Sequence, residues 1–483
     1  MINSIIPSLR AYFSPSYDWI PKATSNLVAN QPLSLRYGGK LLLREDIELD
    51  DTTFDTLCRQ SYFQMIPALE QYLSGYRCKR CGNKTQHLFA KFACARCGNS
   101  HHYCRKCVEM GRVLACQPLY YWTGPPPVWE GCDDPLLWNG TLTKHQQLAS
   151  SEIAHAMEKG RAELLTWAVC GAGKTEMLFY GIANVLRAGK RVCLATPRAD
   201  VVRELLPRFR HVFPKTTIDG LYGGSEDKAG TGQLIIATTH QLIRYAQAFD
   251  VVIIDEIDAF PYHADPTLPF VTKRAAKPSA AMIYLTATPR HNQLQRIRTN
   301  RLPVVFVPVR FHGHPLPVPT FCSCSRLKQT LATSQAPQAF YQWYYNRKEK
   351  ERQLLIFVPR VDLAERMVSS LSANLSVSAI SAVHAADTDR ADKVQQFRDR
   401  KLFVLVTTTI LERGVTFPSV DVAVIDAGHS VFDQAALVQI AGRAGRSPDD
   451  PTGEVVFFHD GKSEAMVGAV KTIKAMNKKG EQA

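Results

Sequence analysis

Residues 164–189, LLTWAVCGAGKTEMLFYGIANVLRAG, restrict this chain to one kind of fold. A strand-like apolar run enters a glycine-rich turn, and an amphipathic segment with helical spacing leaves it. A turn of this kind points several backbone N–H groups at one spot. The helix N-terminus adds partial positive charge there, so the spot binds phosphate. Gly171 and Gly173, on either side of Ala172, let the backbone approach a ligand without a Cβ in the way. Lys174 is placed to reach the β- and γ-phosphates of ATP, and the Thr175 hydroxyl to ligate Mg2+. Glu176 completes the nucleotide-binding run. The full form of this motif starts with glycine; here Ala168 stands in that place.

A second run, VVIIDEID (251–258), is an apolar strand that ends in adjacent carboxylates. Asp255 can hold Mg2+ together with Thr175, and Glu256 can polarise the attacking water. Gln146, in LTKHQQ, offers an amide that can read both a donor and an acceptor on adenine. Loop, carboxylate pair and amide together predict an ATP hydrolase.

Short β-rich runs alternate with longer amphipathic segments on both sides of these motifs, which predicts parallel, doubly wound α/β domains. The expected strands are Leu164–Val169, Val192–Thr196, Leu234–Ala237, Val251–Asp255 and Met282–Thr286. A proline-rich stretch, 307–321, precedes a second set: Leu354–Val358, Phe403–Thr407, Val422–Ile425 and Val455–Phe458. Domains are expected at 130–305 and 306–475, with a frayed polar tail at 476–483. Residues 1–75 carry no readable role, and YYWTGPPPVW (120–129) reads as a stiff connector.

Seven of the 13 cysteines fall between Cys78 and Cys116, which reads as a metal module over 76–118 rather than as disulfides. They include three CxxC pairs: Cys78/Cys81, Cys94/Cys97 and Cys104/Cys107. Two pairs supply the four thiolates of a closed structural Zn2+ site. Spacing favours the first two pairs, CKRCG and CARCG, with a short hairpin between them. His87, His101 and His102 read as solvated loop residues, one of which could replace a thiolate. The stretch is basic (Arg77, Lys79, Arg80, Lys84, Lys91, Arg96, Arg105, Lys106, Arg112), so it suits either a nucleic-acid strand or a docking protein. Tyr103, Tyr120, Tyr121 and Trp122 are candidates to stack on bases. A formal net charge of +14 favours a polyanionic partner. The opening residues lack the pattern of a secretory leader, and no apolar run is long enough to span a bilayer, so a cytoplasmic protein is expected.

The ordered motifs resemble those of superfamily 2 helicases over about residues 140–460. Gln146 is similar to the adenine-reading glutamine of that superfamily and AVCGAGKT to its motif I. ATPR (195–198) resembles motif Ia, DEID motif II, TATP (286–289) motif III and IFVPR (356–360) motif IV. TTTILERGVTF (407–417) resembles motif V and QIAGRAGR (439–446) motif VI. The resemblance implies two RecA-like domains in tandem. It also implies that Arg443 and Arg446 reach the γ-phosphate, that Gln439 stands beside them, and that Gly414 lines the cleft. Cys170 departs from the threonine usual there, and a depressed thiol pKa at the helix start would make the loop oxidation-sensitive.

The runs ATTHQL, QAFDVVIIDEIDAFPY, RFHG and TTTILERGVTFPSVDV, with CxxC and YCRKCVEMGRV ahead of them, resemble the ComFA family of late-competence ATPases of Gram-positive bacteria. That resemblance implies a single-stranded-DNA-stimulated ATPase at the inner face of the membrane that helps draw DNA in. It implies a ComEC-like uptake channel and a ComFC-like, phosphoribosyltransferase-related protein as partners, with membrane association through them. It also implies zinc on Cys78, Cys81, Cys104 and Cys107. A repair or restart helicase, an ATP-switched DNA-binding scaffold and an RNA helicase are the competing expectations.

Overall fold

The computed structural model describes residues 17–482 apart from 25, 26, 74, 376 and 378. Most of the opening segment read above for a leader lies outside the described residues. The chain divides into two compact units. The first holds Met1–Gly140, Ser150–Leu164 and Leu178–Tyr284; the second holds Thr141–Ala149, Leu165–Met177 and Leu285–Ala483.

In the first unit the amino-terminal part forms eight short strands among the described residues. They are β1 (Leu41–Leu42), β2 (Phe63–Pro67), β3 (Leu69–Tyr72), β4 (Gly75–Cys78), β5 (Phe89–Ala93), β6 (Ser100–Cys104), β7 (Val113–Leu114) and β8 (Pro118–Trp122). β8 pairs antiparallel with both β1 and β2, which makes a three-stranded sheet. Tyr37, Phe54, Tyr62, Phe63 and Trp122 pack over it as one aromatic cluster. The first three residues of the expected connector at 120–129 are therefore strand. Tyr121 and Trp122 are buried, and Tyr120 packs edge-on against Phe54, so core packing rather than base stacking explains these rings. β3 and β4 form one hairpin, and β5, β6 and β7 a small antiparallel sheet.

The strands that follow are β9 (Glu163–Ala168), β10 (Val192–Thr196), β11 (Ile218–Leu221), β12 (Leu234–Thr238), β13 (Phe249–Ile254), β14 (Ala276–Thr286) and β15 (Val304–Val307). In the first unit the order is β11-β12-β10-β13-β14, all parallel. β10 and β12 are buried at every position, as strands covered on both faces must be. In the second unit β15 pairs with β9 in parallel.

The second unit also holds a six-stranded parallel sheet. Its strands are β16 (Thr320–Ser323), β17 (Gln353–Phe357), β18 (Ile380–Val383), β19 (Val404–Thr407), β20 (Val420–Ile425) and β21 (Val455–His459), in the order β16-β21-β20-β17-β19-β18. Its core runs from Leu354, Ile356 and Val406 to Phe340, Met367 and Phe458. The expected frayed tail is instead the end of the helix Glu464–Glu481. Met466, Ala469, Val470, Ile473 and Met476 form its buried stripe, and Asn477 bonds both backbone groups of Leu316.

Candidate functional site

The phosphate loop follows β9 in the second unit. Gly171 and Gly173 have φ of 78° and 71°, values that a side chain would strain. A Cβ on Gly173 would lie 2.3 Å from Gln146 Nε2, so glycine there also makes room for that amide. Gln146 is buried in the helix Lys144–Lys159. Its Nε2 donates to Ala172 O at 2.9 Å, and its Oε1 accepts from Thr143 N at 2.8 Å. The glutamine thus braces the loop from its own helix. Lys174 Nζ lies 3.4 and 3.3 Å from the carbonyls of Ala168 and Val169. Thr175 and Glu176 follow at partly exposed positions. The expected long helix begins here as a single 3-10 turn, Glu176–Leu178, and becomes α-helical over Phe179–Arg187.

Cys170 is only 2% exposed, and its Sγ donates to Gln439 Oε1 at 3.0 Å. Burial removes the access that an oxidation-sensitive thiol needs. The segment RFHG also contacts this loop, a role that spacing did not reveal. Phe311 N donates to Gly171 O at 3.0 Å. Arg310, 2% exposed, donates to Ala444 O at 2.9 Å and to Gly445 O. Burial, the largest effect, pulls its pKa down to about 10, against the opposing influence of Cys170. The only sequence signal for these two residues was the RFHG string itself.

The carboxylate pair lies in the first unit, at the carboxyl end of β13. Asp255 N donates to Ala195 O at 2.8 Å, and Asp255 Oδ1 accepts from Glu256 N at 2.9 Å. Glu256 takes a φ of 55°, a conformation non-glycine residues rarely adopt and one that turns the chain sharply out of the strand. Asp255 and Glu256 are both half-buried residues.

Motif VI lies on the helix Gln434–Ala441 and the turn after it, in the second unit. Asp433 caps that helix through Ala436 N at 2.8 Å and pairs with Arg290, just past TATP, at 2.6 Å. The two expected arginines differ. Arg443 is 1% exposed and donates to Glu412 O at 2.9 Å and to Val415 O. Arg446 is partly exposed, donating to Gly442 O at 3.0 Å with longer contacts to Val415 O and Thr416 Oγ1. Arg443 therefore shapes the motif V loop, where Gly414 takes a φ of 73°.

The cysteines separate into two groups. Cys78, Cys81, Cys104 and Cys107 are all buried, with their sulfurs within 4.8 Å of one another. Cys78–Cys107 and Cys81–Cys104 are 3.8 and 3.6 Å apart. Four thiolates at about 2.3 Å from a tetrahedral Zn2+ would be about 3.8 Å apart, so the set fits that ion. Hydrogen bonds from Cys107, Cys78 and Cys81 hold the Cys104 thiol well below the usual range, while bonding to Cys104 pushes Cys81 and Cys107 up. A cation would replace the protons these thiols share. Cys94 and Cys97 are not part of this set. Nor do Cys81 and Cys94 flank a hairpin: the hairpin is β5–β6, and Cys94–Cys97 sits at its tip.

Arg80 does not belong to any strand-guiding surface. It is fully buried, donating to Met110 O at 2.8 Å and pairing with Asp46 at 3.1 Å. Lys106 pairs with Asp265 at 2.9 Å, Arg112 lies over Phe92 and Tyr103, and His101 and His102 are strand residues of β6. Lys84, Lys91, Arg96 and Arg105 remain exposed. Helix Thr267–Ala275, shortly after the carboxylate pair, holds the first knuckle: buried Arg274 donates to Lys79 O at 3.0 Å and to Arg80 O.

Two parallel sheets with a phosphate loop after one strand and paired carboxylates after another define a two-domain ATP hydrolase of the helicase type. Comparison with known proteins agrees. Residues 139–291 match the type III restriction enzyme res-subunit family and residues 335–448 the helicase conserved C-terminal domain. A solved structure, S. cerevisiae Dbp5 bound to RNA and ADP BeF3, shares the fold with a TM-score of 0.52 at 17% identity, covering 70% of this chain and 88% of that one. Residues 26–121 match the Competence protein ComFA N-terminal domain. The chain is 43% identical to Competence protein ComFA of Bacillus subtilis (strain 168), over 90% of this chain and 93% of that protein. It is 39% identical to Competence protein ComFA of Streptococcus pneumoniae (strain ATCC BAA-255 / R6), over 92% and 99%. The chain belongs to the ComFA family. Among the described residues, no helix is long and apolar enough to cross a membrane.

Proposed function

We propose that this ATPase is driven by single-stranded DNA and powers DNA import during competence. The observation that carries the reading is likeness to two proteins named for competence along nearly their whole length, amino-terminal module included. ATP phosphates rest on the loop from Gly171 to Glu176, with Lys174 neutralising charge and Gln146 reading the base. Thr175 and Asp255 hold Mg2+, which screens the phosphates when bound, and Glu256 orients the attacking water. Arg446 meets the charge that develops on the γ-phosphate, with Arg443 and Gln439 supporting it and Gly414 shaping the cleft. Zn2+ on Cys78, Cys81, Cys104 and Cys107 holds the amino-terminal module together. A ComEC-like channel and a ComFC-like protein are the partners, and they bring the enzyme to the inner face of the membrane.

ATP turnover measured against single-stranded DNA, duplex DNA and RNA tests this. Stimulation by single-stranded DNA is expected, with Lys174→Ala abolishing turnover while DNA is still bound. Stimulation by RNA alone would refute import of DNA, and full turnover in the lysine variant would refute the site.

A further inference from the structure

We propose a second zinc site in the amino-terminal module, built from Cys94, Cys97 and Cys116 with His101 as fourth ligand. The three sulfurs lie within 4.8 Å of one another, and His101 Nε2 is 3.1 Å from Cys97 Sγ. A thiolate and an imidazole on one tetrahedral Zn2+ would be about 3.5 Å apart, so a few tenths of an ångström seat the metal between these two. His101 stands beside the sulfur trio rather than inside it, and a side-chain rotation completes the shell.

A second observation points the same way. The hexapeptide at the four-cysteine site, CKRCGN (78–83), recurs at 94–99 as CARCGN. The backbone recurs with it. In the first copy Cys78 N donates to Asn83 O at 3.0 Å and Gly82 N to Cys78 O at 2.8 Å; in the second Cys94 N donates to Asn99 O and Gly98 N to Cys94 O, both at 2.9 Å. Gly82 and Gly98 take φ of 76° and 73°. The same turn thus brackets both CxxC pairs, and in the first copy it presents a thiolate pair to two further cysteines. Each knuckle sits at the end of a hairpin, and each receives its remaining ligands from later chain. Cys104 and Cys107 serve the first; His101 on β6 and Cys116 just past β7 serve the second.

The two ligand sets therefore interleave along the chain, so each metal fixes the strands that carry the other's ligands. A small sheet of three short strands with few buried residues needs such clamps. The second set is the more exposed: Cys97 is at the surface and Cys116 half-buried. It should exchange metal faster than the first.

Zinc content of the full chain, purified without chelator, decides the matter. Two Zn2+ per chain are expected, falling to one in Cys116→Ser and to one in Cys104→Ser. Weak chelators should strip the zinc that remains in Cys104→Ser before the zinc that remains in Cys116→Ser. One Zn2+ per chain, lost in Cys104→Ser and kept in Cys116→Ser, would overturn the second site and leave the first. One Zn2+ lost only in Cys116→Ser would keep the second site and refute the four-cysteine reading. The count on the unaltered protein stands even where a variant fails to fold.

Discussion

Arg443 and Arg446 lie three residues apart in one motif and solve different problems. The buried guanidinium of Arg443 satisfies Glu412 O and Val415 O, carbonyls of a loop with no ladder to bond to. Removing it strands acceptors at about 1–3 kcal/mol each. Arg443→Ala should therefore cost about 3 kcal/mol of stability, read as a lower urea midpoint. Arg446 is partly exposed, and water can replace its contacts to Gly442 and Thr416. Arg446→Ala should leave the unfolding free energy within about 0.5 kcal/mol of the parent, read as a nearly unchanged urea midpoint, yet lower kcat by about a hundredfold or more, since an arginine on the transferred phosphate contributes that much and beyond. Equal stability losses in the two variants would show that both are structural. The sequence placed both residues in one motif but could not sort them, because which side chain turns inward depends on carbonyls contributed by another loop. Arg310 was hidden for the same reason: its acceptors at Ala444 and Gly445 are more than a hundred residues away in the chain.

Among the elements, strands buried on both faces were legible. β10, β12, β13, β17 and β20 are dominated by apolar residues, and burial on two sides favours that pattern. Among the strands that escaped notice, β11 (IDGL) and β18 (ISAV) are four residues long and carry polar or small residues, so that pairing with a neighbour rather than composition makes the strand. The carboxyl-terminal helix was misjudged because lysines dominate its last turns and hide the apolar stripe beneath them. Truncation after residue 475 tests how firmly it is attached. It removes Met476 from the core and leaves Leu316 N and O without Asn477, whose two bonds are 2.9 and 2.8 Å. The truncated chain should lose about 2–4 kcal/mol, seen as a fall in the urea midpoint. An unchanged midpoint would restore the frayed tail.

At the scale of the molecule, the amino-terminal module and the carboxylate strand share one unit, so with the proposed Zn2+ bound, metal and turnover are expected to be interdependent. Arg274 carries the connection: its guanidinium, pulled down to a pKa of about 10 chiefly by burial, donates to Lys79 O and Arg80 O in the first knuckle and to Ile243 O and Tyr245 O behind it. It projects from helix Thr267–Ala275, which the chain enters soon after Asp255 and Glu256. Metal binding supplies folding free energy to a module with little core of its own. Losing the metal loosens the knuckle, strips Arg274 of two acceptors and leaves a buried cation badly partnered, a penalty the helix can relieve only by moving. A zinc-selective chelator, with Mg2+ kept in excess, should therefore lower ATP turnover by roughly tenfold or more rather than weakening DNA binding alone. Added Zn2+ should restore it. Arg274→Met provides the control: with the guanidinium gone the module is uncoupled, and chelation should change turnover much less than in the parent. If chelation releases zinc from the parent while kcat stays constant, the module is an independent appendage and this coupling is absent.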